Sequence, residues 1–303
     1  MPRPMRSSSI GSGPEQIRVL LAGDIMLSRY VGKLAHAKGD PAWPLRDVQE
    51  LLAPADIAFA NLESPFSDQG RGSDKGIVFQ AEPEMVAGLA AAGIDVVSTA
   101  NNHARDCGSR GIEFTLDLLA RNGILAAGTA ATAALAHQGV VIARKKVGFG
   151  FLAYTFDQSN GSHKDIDDRI CMMNLDQMRA DVASLRTRAD VVIVSMHAGT
   201  EYESHPNPLQ QRFAQAAIDA GASVVAGHHP HVVQTVESYG SSVIFYSLGN
   251  LVFDQFQSTK TQRGWIADVR FDGARIASYG IIPIEILNTV PRVQARRTLA
   301  AAL

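Results

Sequence analysis

Six times along this chain a short apolar, largely β-branched run stops at polar residues able to bind a metal ion or an anion. Ile17-Arg18-Val19-Leu20-Leu21-Ala22 delivers Gly23-Asp24, Asp56-Ile57-Ala58-Phe59-Ala60 delivers Asn61-Leu62-Glu63, and Asp95-Val96-Val97-Ser98-Thr99-Ala100 delivers Asn101-Asn102-His103. Further on, Val191-Val192-Ile193-Val194 leads to His197, Ser223-Val224-Val225-Ala226 to Gly227-His228-His229-Pro230-His231, and Val243-Ile244-Phe245-Tyr246 to Ser247-Leu248-Gly249-Asn250. Runs this short and apolar read as strands buried on both faces. Helical spacings separate them over Leu27 to Ala37, Pro83 to Ala92, Gly111 to Asn122, Leu175 to Arg186 and Gln210 to Ala220. Such alternation predicts an α/β fold, with its ligand site at the carboxyl ends of the strands.

Two hairpins complete the pattern. Gly139 to Ala143 and Val147 to Tyr154 flank a turn at Lys145-Lys146 and predict a second sheet. Gly264 to Phe271 and Arg275 to Ile286 alternate around Asp272-Gly273. The reading is one α/β domain over residues 17–290, a disordered leader over 1–16 rich in Ser, Gly, Pro and Arg, and a C-terminal tail over 291–303 with a modest helical pattern.

A formal charge of −2 and the lack of a basic stripe exclude general nucleic-acid binding. No apolar run approaches the roughly 20 residues of a membrane helix, and no signal-peptide core occurs, so the expectation is a cytoplasmic protein without a membrane span. Cys107 and Cys171 have neither metal-type nor disulfide spacing. There is no Walker-type phosphate loop and no solenoid period.

Between Val191 and Gln255, four of the chain's nine histidines, His197, His228, His229 and His231, follow strand-like runs. His-x-His places two imidazoles on one short loop, and a third from a neighbouring strand end can meet them. Asp24, Glu63, Asn102, His103, His197, His229 and His231 are therefore the collected candidates, a mixture of carboxylate, carboxamide and imidazole. That mixture suits one or two divalent ions (Mn, Zn or Fe), a pair lying about 3.5 to 4 Å apart. The ions would favour an anionic substrate and acidify a bound water. Arg29, Lys75, Arg105 and Tyr202 lie near these positions in sequence and are candidates for gripping an anion. Glu201 is a candidate to orient His197, and the polar loop Ser64 to Gly76 is long enough to form a binding rim.

The ordered motifs Gly-Asp-x-Met, Asn-Leu-Glu, Asn-Asn-His-x-x-Asp-x-Gly, His-x-Gly-x-Glu-Tyr, His-Pro-His-x-x-Gln and Tyr-Ser-Leu-Gly-Asn, over about Val19 to Gln255, resemble the CapA-like poly-γ-glutamate capsule synthesis family. That family belongs to the calcineurin-like metallophosphoesterase superfamily. The resemblance implies a four-layer α/β/β/α sandwich. It puts Asp24 and His231 on one metal, Asn102, His197 and His229 on the other, and Glu63 between them. It makes His103, beside Asp106, the acid or oxygen-binding residue, and leaves His228 behind the ligands. Met26 stands where ordinary metallophosphoesterases carry a histidine, and a thioether is a poor ligand for a hard ion; the first metal site is weakened accordingly.

Three functions stay open on these residues. The first is hydrolysis of a phosphoester or anionic polymer by metal-bound hydroxide. The second is metal-dependent peptide chemistry, either processing of a γ-glutamyl chain or epimerisation at Cα. The third is a non-catalytic capsule-polymer binding subunit, whose partner would be a membrane-bound capsule-synthesis protein.

Overall fold

The computed structural model describes residues 16–69, 76–156 and 167–294. Strands are β1 (Ile17–Ile25), β2 (Ile57–Leu62), β3 (Val96–Ser98), β4 (Leu125–Ala127), β5 (Val140–Arg144), β6 (Val147–Thr155), β7 (Val191–His197), β8 (Val224–His228), β9 (Val236–Tyr239), β10 (Ser242–Phe245), β11 (Asn250–Val252), β12 (Arg263–Asp272), β13 (Arg275–Leu287) and β14 (Val290–Val293). Helices are α1 (Arg29–Ala37), α2 (Gln49–Leu52), α3 (Val86–Ala91), α4 (Gly108–Arg121), α5 (Ala133–Gln138), α6 (Leu175–Leu185) and α7 (Pro208–Asp219).

The strands make two sheets, ordered β14-β13-β12-β1-β2-β3-β4, with β11 also beside β1, and β5-β6-β7-β8-β10-β9. Within the first, β1 to β4 are parallel; within the second, β6, β7, β8 and β10 are parallel. Side-chain alternation sorts these strands into three apolar layers. Leu20 and Ala22 of β1 face α1 and the residues around Leu45. Val19 and Leu21, one residue out of phase, pack between the sheets with Phe59, Phe151, Ile193 and Phe245. Val192 and Val194 of β7 turn outward onto α6 and α7. The result is the expected four-layer α/β/β/α sandwich. Phe59 and Phe151 stack at 5.6 Å between the sheets, a pairing worth about 0.5 to 1.5 kcal/mol beyond its buried area.

Register then sets the site. Asp24 pairs with Asn61 and with Asn250, and Asn61 with Ser98, forming one polar row across the first sheet. Thr155, His197 and His228 form a row across the second. Both rows lie at the carboxyl ends of parallel strands, and the core beneath them is apolar.

The sequence-derived elements need some correction. Leu125–Ala127, Ala133–Gln138 and Val236–Tyr239 form elements too short for the period to announce. Pro291 to Val293 belong to β14, which pairs antiparallel with β13, so the helical pattern does not hold for the first residues of the tail. Most of the leader, Lys75 and residues 295–303 lie outside the described residues.

A candidate metal centre at the strand ends

Gly23 and Gly227 let the two halves of the site approach. A Cβ at Gly23 would lie 2.0 Å from the Gly249 carbonyl oxygen, and one at Gly227 would lie 1.9 Å from that of Tyr246. Only glycine permits such backbone contact. The chain then turns sharply: His229 and His231 have φ of 94° and 59°, and Tyr202 and Arg29 have 68° and 51°. Positive φ is uncommon for such side chains and costs of order 1 to 3 kcal/mol each. These four residues gather at one place. Among the described residues the other positive-φ non-glycine residues, Lys145, Lys146, Asn288 and Thr289, lie in the β5–β6 and β13–β14 turns.

Asp24, Glu63 and His197 are fully buried, and one ligand atom from each lies within 4.8 Å of the other two. His231 stands between the carboxylates, with Nδ1 3.5 Å from Asp24 Oδ2 and Nε2 3.7 Å from Glu63 Oε1. His197 Nε2 is 2.8 Å from Asn102 Oδ1, and the His229 ring lies 4.9 Å from that of His197. Hence Asp24 adjoins His231, Asn102 and His229 adjoin His197, and Glu63 lies close to both groups.

Hydrogen bonds fix which nitrogen is available. Asn250 Nδ2 donates to the Thr261 carbonyl and to Gln255 Oε1, so its Oδ1 must accept from His231 Nδ1 at 3.0 Å. The lone pair of His231 is thereby placed on Nε2, toward Glu63. Asn61 Nδ2 donates to Asp24 Oδ1, so His197 Nδ1, 3.3 Å from that amide, accepts and Nε2–H donates to Asn102. A cation shared by Asn102 and His197 would replace that proton, so binding there releases one.

Charge balance favours a cation. Burial raises Glu63, Asp24 raises it further, and its carboxyl is held well above the usual carboxylate range. Burial also acts to raise Asp24, but the imidazoles of His228 and His231 hold it well below that range. Burial and the neighbouring His229 push His197 well below the ordinary imidazole value. Glu63 Oε1 is buried with no hydrogen-bond partner. An orphaned oxygen between a second carboxylate and two imidazoles fits a divalent ion.

Beside this cluster His103 Nδ1 lies 2.7 Å from Asp106 Oδ2, and Asn101 holds the His103 amide at 3.1 Å. A cavity of about 520 Å³ opens over the centre, lined by Arg29, Asn102, His103, Glu201, Tyr202 and His231 among others. A second of about 440 Å³ shares Arg29, Gly76 and Ile77 with it. The two adjoin along these residues.

Several sequence assignments are altered. Arg105 does not line the cavity; it is buried near Asp167 and Ser109. Arg29 lines it, but its Nε and Nη2 are engaged by Asp254, which offsets its charge. Glu201 does not orient His197, whose ring nitrogens face Asn61 and Asn102; it sits exposed at the rim. Met26 is buried, and its sulfur accepts from both the amide and the hydroxyl of Ser28. Sequence reasoning passed over Asn61, Asn250 and Phe79. Asn61 and Asn250 were visible as polar residues at strand ends beside the selected ones, whereas Phe79 gave no signal.

The two-sheet sandwich with buried carboxylates and imidazoles at its strand ends defines a metallophosphoesterase-like fold. The 5'-nucleotidase precursor from Thermus thermophilus shares it, with a TM-score of 0.56 at 11% identity over 92% of this chain and 55% of that one. More specifically, the chain belongs to the family described as bacterial capsule synthesis protein PGA_cap, whose profile matches residues 18–255. Relatives include the PGA biosynthesis protein CapA of Bacillus subtilis (strain 168), 31% identical over 89% of this chain and 71% of that protein. The capsule biosynthesis protein CapA of Bacillus anthracis is 29% identical over 92% and 69%. Among the described residues no helix is long and apolar enough to cross a membrane.

Proposed function

We propose that this protein is a metal-dependent hydrolase of an anionic substrate, a phosphoester or a capsule-type polymer. The observation that carries the reading is the convergence of buried Asp24, Glu63 and His197 beside the His103–Asp106 pair, next to a cavity of about 520 Å³ lined by Asn102, His103 and His231. Asp24, Glu63, Asn102, His197, His229 and His231 would hold one or two divalent ions. When bound, such ions polarise a phosphoryl or carbonyl oxygen and bring the pKa of water toward about 7.

The remaining roles belong to side chains. Asp106 Oδ2 accepts from the Phe79 amide and from His103 Nδ1, which fixes the Nδ1–H tautomer of neutral His103. When the ring is protonated, His103 Nε2 would carry the proton given to a leaving oxygen. Tyr202, nearly half exposed at the rim, offers a hydroxyl, and Arg29 offers Nη1. With Arg29 offset by Asp254 and Glu201 exposed, the attraction for an anion comes mainly from the ions.

A polymer-binding role is the second reading, favoured by the two adjoining cavities and by the names of the Bacillus relatives. The deciding experiment strips the protein of metal, reloads it with Mn(II), Zn(II) or Fe(II), and measures hydrolysis of aryl phosphomonoesters and phosphodiesters beside His229→Ala. Turnover restored by metal and absent in the variant supports hydrolysis. Confirmed metal binding without turnover moves the assignment to polymer binding.

A further inference from the structure

Phe79 belongs to none of the six sequence motifs, yet it touches three parts of the site. Its buried ring stacks on the His103 imidazole with centroids 3.8 Å apart and planes 23° from parallel. Its backbone N–H donates to Asp106 Oδ2 at 2.6 Å, the oxygen that lies 2.7 Å from His103 Nδ1. The Arg29 guanidinium carbon lies 4.7 Å from the centre of the same ring. Phe253 meets it edge-on at 5.7 Å and in turn contacts His231 at 4.8 Å.

A hydrogen bond at Nδ1 does not by itself fix the plane of an imidazole, whose second torsion is broad. A ring lying against its face removes that freedom. We propose that Phe79 is a positioning residue: its ring fixes the plane of His103, and its amide fixes the carboxylate that holds Nδ1. Phe79 shares its chain segment with Gly76, Ile77, Val78 and Gln80, which line the two cavities. The residue that aligns His103 is therefore carried on the wall a substrate touches. The kinetic consequence rests on the hydrolase reading; the geometric one does not.

Phe79→Leu removes the ring and leaves the amide. In Mn(II)-loaded protein, kcat for p-nitrophenyl phosphate should fall about tenfold to a hundredfold, the penalty of a misplaced catalytic group. KM and Mn(II) affinity should change far less than kcat, and Phe79→Tyr should restore the rate. Combined with His103→Asn, Phe79→Leu should cost little more, because the two act as a unit. Independently of turnover, the His103 ring-proton resonances, shielded by the stacked ring, should move downfield in Phe79→Leu. If Phe79→Leu fails to fold, Phe79→Met, which keeps more of the volume, takes its place.

Unmoved resonances overturn the proposal, and so does an unchanged kcat in an active enzyme. If the wild type hydrolyses nothing with metal bound, the hydrolase reading falls. The resonances alone then decide: a shift upholds the positioning role and its absence overturns it.

Discussion

Asn61 Nδ2 donates to Asp24 Oδ1 at 2.9 Å, joining the carboxyl ends of neighbouring parallel strands. The same amide lies 3.4 Å from Glu63 Oε2 and 3.3 Å from His197 Nδ1 on the opposite sheet. Its oxygen accepts from Asn101 Nδ2 at 3.2 Å. One carboxamide thus orients three candidate ligands, and its own orientation is set from behind.

Asn61→Ala should therefore weaken Mn(II) binding by about 10- to 100-fold, the usual effect of losing a partner that orients metal ligands. Calorimetric titration of the stripped protein at fixed pH measures it. An affinity equal to wild type would show that Asp24 and His197 hold their places unaided.

Gly227→Ala should be severely destabilising. The added methyl would lie 1.9 Å from the Tyr246 carbonyl oxygen and 2.5 Å from its carbon. Backbone on both sides leaves no side chain to move aside. A cost of about 3 kcal/mol, at the upper end of overpacking, is expected. Thermal melting of the variant tests this, and a melting point within a degree of wild type refutes the close approach.

What the sequence revealed and concealed divides on a physical line. Strand ends were legible because a strand buried on both faces must be apolar until its last residue, so Asp24, Glu63, His197 and the His229/His231 pair stood out. Contacts between sheets were not legible. Nothing in the period of β2 says that Asn61 reaches His197, because that distance depends on how two sheets stack. The direction of Arg105 was hidden for the same reason: adjacency to His103 in sequence gives none, and one acid it meets, Asp167, comes from 62 residues further along. β4 and α5 escaped because three and six residues carry too little periodicity.

Both cysteines should be inert in the folded protein. Burial, with the charge of Asp106, pushes the Cys107 thiol up to about 12, and burial with Asp181 pushes Cys171 higher still. At pH 8 the reactive thiolate of Cys107 is then about one part in ten thousand. Iodoacetamide at that pH should label neither in the native state and both in denaturant, as read by intact mass. Rapid native labelling of either would contradict its burial.

Glu63→Gln should have opposite effects with and without metal. Burial and Asp24 hold Glu63 above its ordinary value of 4.5. Between that value and the raised one, the folded chain retains a proton that the unfolded chain has released. Stability of the metal-free protein therefore falls as pH rises through this window. The neutral amide has no such loss, so metal-free Glu63→Gln should melt above the wild type at pH 7 and converge with it near pH 4. Mn(II) at a hundred times its dissociation constant should add about 2.7 kcal/mol to the wild type. The variant, lacking the carboxylate between the two groups of ligands, should gain much less. Melting curves at both pH values, with Mn(II) and with chelator, give the four comparisons. A metal-free variant less stable than wild type at pH 7 would mean that the Glu63 carboxylate is already stabilised by the protein alone, and that the cluster needs no cation to balance it.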